Sequence, residues 1–369
     1  MLTCSENDLA LRLRFRERLG NLILSLGMRR LLRFVPISPE WANINVTENC
    51  NSRCITCFAW KNKIANELST VEIKNVLRQL KEIGVKSVIF IGGEPLLRND
   101  IGDLVKETRL LKFYPIMLVT NGLLLESKAE ELVESGVTHL AVSVDGVGRT
   151  NEVIRGIKGN YERSIRGIET VLDLKKRKNS GISVTLLTTM LLNQNVDEIP
   201  QLVETARKLG VHWTCNLLDP NVPIFRGIAF SDLLVNDEEK IDKTIDFLEE
   251  TRKNSPWLVT SCDHKLEYAR HYLKTRSFFP RSFHCVHGYR VVWLTSRGDV
   301  HPGCWQMDPL GNVRRDKLRD VVRSGAYRKT AERMYMNQCP GCTNLHAFNV
   351  AAMHPITHRS CGRVQESTT

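Results

Sequence analysis

From residue 41 to about residue 252, short runs of apolar and β-branched residues alternate six times with longer stretches whose apolar positions recur at helical spacing. The short runs predict strands and the longer stretches predict helices. Strands are expected at 42–47, 87–91, 116–120, 139–144, 183–188 and 212–217. Helices are expected at 70–83, 100–112, 127–134, 161–177, 196–208 and 237–252. Most of these helices stop at Gly84, Gly136, Gly181 or Gly210, each followed directly by valine or isoleucine. That is the signature of a left-handed helix cap leading into a buried strand.

Parallel strands need helical crossovers, so six successive βα units imply an α/β chain with a parallel sheet. Six units are too few to close a standard eight-stranded barrel, and the pattern alone fits either an open partial barrel or a doubly wound sheet. Either arrangement puts the ligand site at the C-terminal ends of the strands. Four regions are expected: residues 1–40 as a basic amphipathic helical cap, 41–255 as the βα region, 256–347 as a linker with a small cysteine-rich α+β extension, and 348–369 as a tail without periodic pattern. Within the extension a short strand is expected at 290–295 and one helix at 317–333.

The chain of 369 residues has 42% hydrophobic and 25% charged residues, which suits a globular protein with a substantial core. Its 11 cysteines are too sparse for a secreted disulfide scaffold, and several stand at metal-like spacings. No run of apolar residues is long enough to span a bilayer, and Glu6 and Asp8 interrupt any signal-peptide pattern. A reducing, cytoplasmic location is expected. The 52 basic and 41 acidic residues give +11. Residues 9–35 hold seven arginines and one acid, and residues 281–333 hold eleven basic and five acidic residues, so each segment is +6 and the remainder is −1. A uniformly basic surface for nucleic acid is therefore not indicated. The basic N-terminal segment could instead touch an anionic membrane peripherally.

Directly after the first expected strand come Cys50, Cys54 and Cys57, a C-x3-C-x2-C run. Three thiolates on one loop can bind three irons of a 4Fe-4S cube and leave the fourth iron open. A closed zinc site would need a fourth ligand, and none is near in sequence. With this loop, Gly92-Gly93-Glu94-Pro95 after the second strand, Thr120-Asn121-Gly122 after the third, Ser143 and Asp145 after the fourth, and Arg155-Gly156, the chain resembles the radical S-adenosylmethionine superfamily. The resemblance implies a partial (β/α)6 TIM-like barrel. It also implies that S-adenosylmethionine is bound by Gly92, Gly93, Glu94, Pro95, Thr120, Asn121, Ser143, Asp145 and Arg155, with backbone and Glu94 groups toward the methionine ammonium and Arg155 toward the carboxylate. Many members carry an aromatic residue just before the third cysteine; here Thr56 stands there and Phe58 follows Cys57, which leaves the adenine contact open.

In that superfamily the open iron chelates S-adenosylmethionine, and one electron breaks its carbon–sulfur bond to release a 5′-deoxyadenosyl radical that takes hydrogen from substrate. Such chemistry implies an electron donor such as flavodoxin or ferredoxin.

Downstream, Cys285 and Cys304 flank an expected hairpin, and Cys339 and Cys342 form a C-x2-C pair after a helix. Four thiolates could hold zinc or an iron–sulfur cluster. The arrangement resembles the SPASM and twitch extensions of radical enzymes, the shorter twitch form best, which implies an auxiliary 4Fe-4S cluster on these four cysteines. His284, His287 and His301 read as surface or supporting residues, Cys215 as buried packing, and Asn216 and Asp219 as residues able to approach substrate. Such extensions imply oxidation, epimerisation or carbon–carbon and carbon–heteroatom bond formation on a small sugar-like or aminocyclitol-like metabolite or on a peptide. The short segment before the barrel favours the small molecule, since a leader-peptide module would not fit in it. A peptide maturase, an RNA-modifying radical enzyme and a non-enzymatic iron–sulfur or zinc protein are the alternatives.

Overall fold

The protein is described from a computed structural model covering residues 20, 29–61, 64–189, 192–219, 230–278 and 284–343. The predicted tail at 348–369 with Cys361, and most of the predicted cap with Cys4, lie outside the described residues. Six strands run β1 Trp41–Thr47, β2 Ser87–Gly92, β3 Ile116–Thr120, β4 His139–Ser143, β5 Ser183–Thr189 and β6 His212–Asn216. Helices α1 Thr70–Glu82, α2 Ile101–Leu110, α3 Leu125–Ser135, α4 Arg149–Arg155, α5 Asn160–Arg177 and α6 Ile199–Leu209 connect them, followed by α7 Glu238–Asn254.

The strand order β6-β5-β4-β3-β2-β1, parallel throughout, decides between the two architectures left open by the pattern. A doubly wound sheet reverses direction about its first strand, whereas here each strand lies beside the next in sequence. Crossovers of one hand then put the helices on one face, and the sheet curls as a partial barrel. Alternation along β5 matches this: Val184, Leu186 and Thr188 are buried, while the residues between them are half-exposed. The helices close the other side with apolar stripes, as in α1, where Ile73, Val76, Leu77 and Leu80 are buried and a capping box joins Ser69 and Glu72.

The chain departs from the predicted elements at several points. Asn179, at φ 47°, takes the left-handed position after α5, so Gly181 is not the cap. α4 was not predicted. Leu258 and Thr260 bond to the backbone of Trp213, and Val259 bridges it in parallel. Together with helix α8, Asp263–Thr275, this makes a rudimentary seventh βα unit. The single helix expected at 317–333 is two, α9 Leu318–Arg323 and α10 Gly325–Tyr335, because Ser324 is extended and its hydroxyl caps α10.

The cysteine-rich extension continues the barrel sheet. Its first strand, β7 Val291–Leu294, pairs in parallel with β1, and β8 Asp299–His301 and β9 Gly311–Asn312 follow antiparallel. The described part of the N-terminal segment packs here: Leu32 and Val35 are buried with Val286, Tyr289, Ala331 and Tyr335. Among the described residues no helix is long and apolar enough to cross a membrane.

Arg314, in the loop after β9, donates to the Glu72 carboxylate at 2.6 and 3.2 Å and to the carbonyls of Asn66 and Glu67. Arg314 and the Ser69 N–H hold the Glu72 carboxyl down at about 2. A depressed acid stabilises the fold above its ordinary value and loses that contribution as pH falls toward its folded value. The pair is about one-third exposed, so solvent screening keeps its contribution small. Thermal melts of wild type and Glu72→Gln should differ most above pH 5 and converge as pH falls from about 4.5 to about 2; a difference independent of pH would count against this link.

Candidate functional site

The loop that leaves β1 carries Cys50, Cys54 and Cys57 and is fastened on three sides. Arg53 N–H donates to the Arg155 carbonyl at 3.0 Å and Ile55 N–H to the Ile154 carbonyl at 2.9 Å, which docks the loop on the last turn of α4. Gly156 ends that turn at φ 70°, and a Cβ there would lie 2.3 Å from the Arg53 carbonyl oxygen. Only glycine allows both the left-handed conformation and the contact. On the second side, Asn121 Nδ2 donates to Asn51 Oδ1 at 2.7 Å.

The third attachment is the Gly-Gly-Glu turn after β2. Gly93 N–H donates to the Thr47 carbonyl and Glu94 N–H to the Asn49 carbonyl, and a Cβ on Gly92 or Gly93 would fall within 2.4 Å of those carbonyls' backbone. The glycines thus allow the turn to lie on the cysteine loop. Glu94 is fully buried and accepts from Leu96 N–H at 3.0 Å, the Thr120 hydroxyl at 2.8 Å and Asn121 N–H at 2.7 Å. Burial pushes its carboxyl up, against the pull of those donors. A carboxylate has about four acceptor positions, so three are already engaged in tying the β2 and β3 loops together. Gly92 and Gly93 themselves line the site.

Asp145, after β4, is 1% exposed and accepts from Thr189 N–H at 2.6 Å and from Arg155 at 3.0 Å. This ion pair fixes the guanidinium beside the cysteines. Together the loops enclose a cavity of about 140 Å³ lined by Cys50, Cys54, Cys57, Gly92, Gly93, Thr120, Asn121, Ser143 and Arg155. Glu94, Pro95 and Asp145 stand outside this lining. A single water needs only about a tenth of such a volume, so a group of several atoms can enter.

The donor set fits a cluster with a cofactor beside it. Ser52 N–H points at Cys50 Sγ and Ala59 N–H at Cys57 Sγ, both at 3.4 Å, as suits anionic sulfur. The Ser52 hydroxyl and Arg155 Nε are buried without a partner, and both residues line the cavity. Burial pushes all three thiols up, Cys57 to about 12. Iron ligation requires thiolates, so loading the site releases protons. Among the described residues no three His, Cys, Asp or Glu close around a point as ligands of a single metal ion would.

At the second cysteine set, Cys285, Cys304 and Cys339 pack together with Met307 and Met334. Cys342 closes the following turn, and its carbonyl receives the Tyr268 hydroxyl at 2.9 Å. The amides of His287, Gln306 and Gly341, each two residues beyond a cysteine, donate to the sulfurs of Cys285, Cys304 and Cys339. This repeats the arrangement at Cys50 and Cys57. Burial pushes Cys285 and Cys304 up to about 12. His287 and His301 are buried, and the His301 ring meets the Met307 carbonyl at 2.6 Å, supporting the Cys304 turn. Cys215 is fully buried. Asp219 lies in this second site and accepts from Gln306 and Thr343.

A radical SAM superfamily model matches residues 44–206, and a model of SPASM, an iron-sulfur cluster-binding domain, matches residues 285–343. The chain thus carries a radical SAM domain followed by a SPASM/twitch iron–sulfur domain. Its cofactors are accordingly a 4Fe-4S cluster, S-adenosylmethionine and auxiliary iron–sulfur. It is similar to the Fe-coproporphyrin III synthase of Methanosarcina barkeri, 35% identical over 174 residues that cover 46% of this chain and 42% of that protein. It therefore spans less than half the length of that relative. The AdoMet-dependent heme synthase of Oleidesulfovibrio alaskensis is 25% identical over 342 residues, 86% of this chain and 85% of that one. The structure of Streptococcus suis SuiB bound to precursor peptide SuiA shares the fold, with a TM-score of 0.63 at 19% identity over 80% of this chain and 67% of that chain.

Sequence reasoning missed Trp60, which lines the cavity. Phe58, noted as the aromatic residue nearest Cys57, instead lies under the Lys61 ammonium at 3.7 Å. An indole three residues past Cys57 was the available signal. The docking of the cysteine loop on α4 predicts that Gly156→Ala costs several-fold in iron retained after gel filtration. Gly210→Ala, at φ 67° with open space around it, should lower stability by about 1 kcal/mol and retain its iron. Equal iron in the two variants would show that the Gly156 contact does not position the loop.

Proposed function

We propose that the protein oxidises a small-molecule substrate by hydrogen-atom abstraction, with the second cysteine set holding an auxiliary 4Fe-4S cluster that takes the following electron. The observation carrying this reading is that the two cysteine sets are built on one sheet: β1 ends in the first loop, and β7, which leads from Cys285 toward Cys304, pairs with β1. The likeness to a heme synthase over 86% of the chain supports a small molecule, since that relative is covered nearly whole.

In this reading Cys50, Cys54 and Cys57 hold the radical cluster. Gly92, Gly93, Thr120, Asn121, Ser143 and Arg155 contact S-adenosylmethionine, and Glu94, Pro95 and Asp145 hold those residues in place. When bound, the reduced cluster and S-adenosylmethionine supply a 5′-deoxyadenosyl radical. Arg155, fixed by Asp145, receives the cofactor's carboxylate, and the Gly92 and Gly93 carbonyls receive its ammonium. Cys285, Cys304, Cys339 and Cys342 would hold the auxiliary cluster, which would supply an acceptor for the one electron left on a substrate carbon after hydrogen-atom loss, the accompanying proton passing to solvent or a nearby base. A flavodoxin or ferredoxin supplies the reducing electron, in the cytoplasm.

Anaerobically reconstituted protein should carry about eight irons per chain and cleave S-adenosylmethionine on reduction. Cys54→Ala should abolish cleavage, and Cys339→Ala should retain uncoupled cleavage while losing product. Bound zinc with no cleavage would sink the proposal. Deuterium from a labelled substrate should appear in 5′-deoxyadenosine, with tetrapyrrole and peptide candidates compared directly.

A further inference from the structure

We infer that Asp219 is a positioning residue for the auxiliary cluster, its buried carboxylate on the loop leaving β6 holding that cluster's reduction potential down. Asp219 is 4% exposed and follows β6 by three residues. Its Oδ2 accepts from Gln306 Nε2 and from Thr343 N–H, both at 3.1 Å. Gln306 stands two residues past Cys304, and Thr343 immediately follows Cys342. The Thr343 hydroxyl donates to the Leu217 carbonyl at 3.3 Å, so the same barrel loop grips the second cysteine turn twice.

Both donors belong to the second cysteine set, so the Asp219 carboxylate stands against the turns that carry Cys304 and Cys342. The same proximity acts on an added electron. A fixed negative charge in a low-dielectric site makes reduction of a neighbouring cluster harder, and cluster potentials follow local charge and hydrogen bonding. The residue belongs to the barrel rather than to the extension, so the auxiliary potential is set partly from the C-terminal end of β6, the end of the sheet at which the cofactor cavity lies.

This inference rests on the auxiliary-cluster reading, and iron content separates the two. Full-length wild type, Asp219→Asn, Gln306→Lys and Gln306→Ala would be reconstituted and titrated under redox control with the paramagnetic signal of each cluster followed. Asp219→Asn keeps an oxygen for these two donors and removes the charge. It should make reduction of the auxiliary cluster at least about tenfold easier, a rise of about 59 mV for one electron, with the radical cluster unmoved. Gln306→Lys sets a cation beside Asp219 and should shift the potential the same way. Gln306→Ala, which removes a hydrogen bond and no charge, should shift it less. Eight irons per chain with an unchanged auxiliary potential in Asp219→Asn would overturn the inference. So would loss of irons in that variant combined with a wild-type potential in Gln306→Lys. Only four irons in the wild type would overturn the auxiliary-cluster reading itself.

Discussion

The parallel pairing of β1 on both its edges is the constraint on which the rest of the structure depends. On one side β1 pairs with β2 from Trp41 to Thr47, and on the other with β7 from Trp41 to Ile44. A central strand of a parallel sheet is largely buried: on one face of β1 Ala42, Ile44 and Val46 are fully so, and on the other Asn45 and Thr47 are buried toward its C-terminal end. Its C-terminal end is therefore held in place before any side chain of the cysteine loop is considered. Thr47 then acts as a hub: its carbonyl receives Gly93 N–H, and its hydroxyl donates to Glu67, whose carboxylate also accepts the Glu48 N–H at 2.6 Å. The three cysteines begin three residues later, on a loop with little freedom left.

The same pairing explains why the extension is part of the sheet. Trp293 on β7 lies opposite Asn43, and its indole donates to Asn45 Oδ1 at 3.2 Å while meeting the Trp305 ring at 5.5 Å. Trp305 directly follows Cys304. The second cysteine set is thus fixed relative to the first through one strand pair, one indole and the Asp219 loop.

Elements whose signal is local were legible in the sequence. The six strands end within about a residue of the expected positions because each is a β-branched run entered from a glycine or polar turn. The cysteine spacing and the residues after each strand placed the cavity lining, since a parallel sheet must present its loops at one end. What escaped were features decided by distant residues. α4 has only seven residues and opens Arg-Thr-Asn-Glu, so it shows no apolar stripe; its form depends on Asn151, which donates to Asn160, and on the loop that docks on it. α8 carries Leu266, Ala269 and Leu273 at helical spacing, yet the strand before it is a single bridge, too short to register as a βα unit. Contacts such as Arg314 with Glu72, 242 residues apart, have no sequence signature.

The two cysteine sets differ in a way that follows from their surroundings. Around Cys285, Cys304 and Cys339 the space is filled by Met307 and Met334, and several neighbouring polar groups are paired: His301 with a carbonyl, Gln306 and Thr343 with Asp219. Four thiolates can supply the full ligand set of one cluster. Around Cys50, Cys54 and Cys57 the opposite holds. Three thiols line a cavity that also exposes the unspent Ser52 hydroxyl and Arg155 Nε, while the polar groups behind it, Glu94 and Asp145, are fully committed to holding the loops. Unpaired buried donors cost stability unless a ligand meets them. Both of these donors stand at the first cysteine set, where the cavity lies.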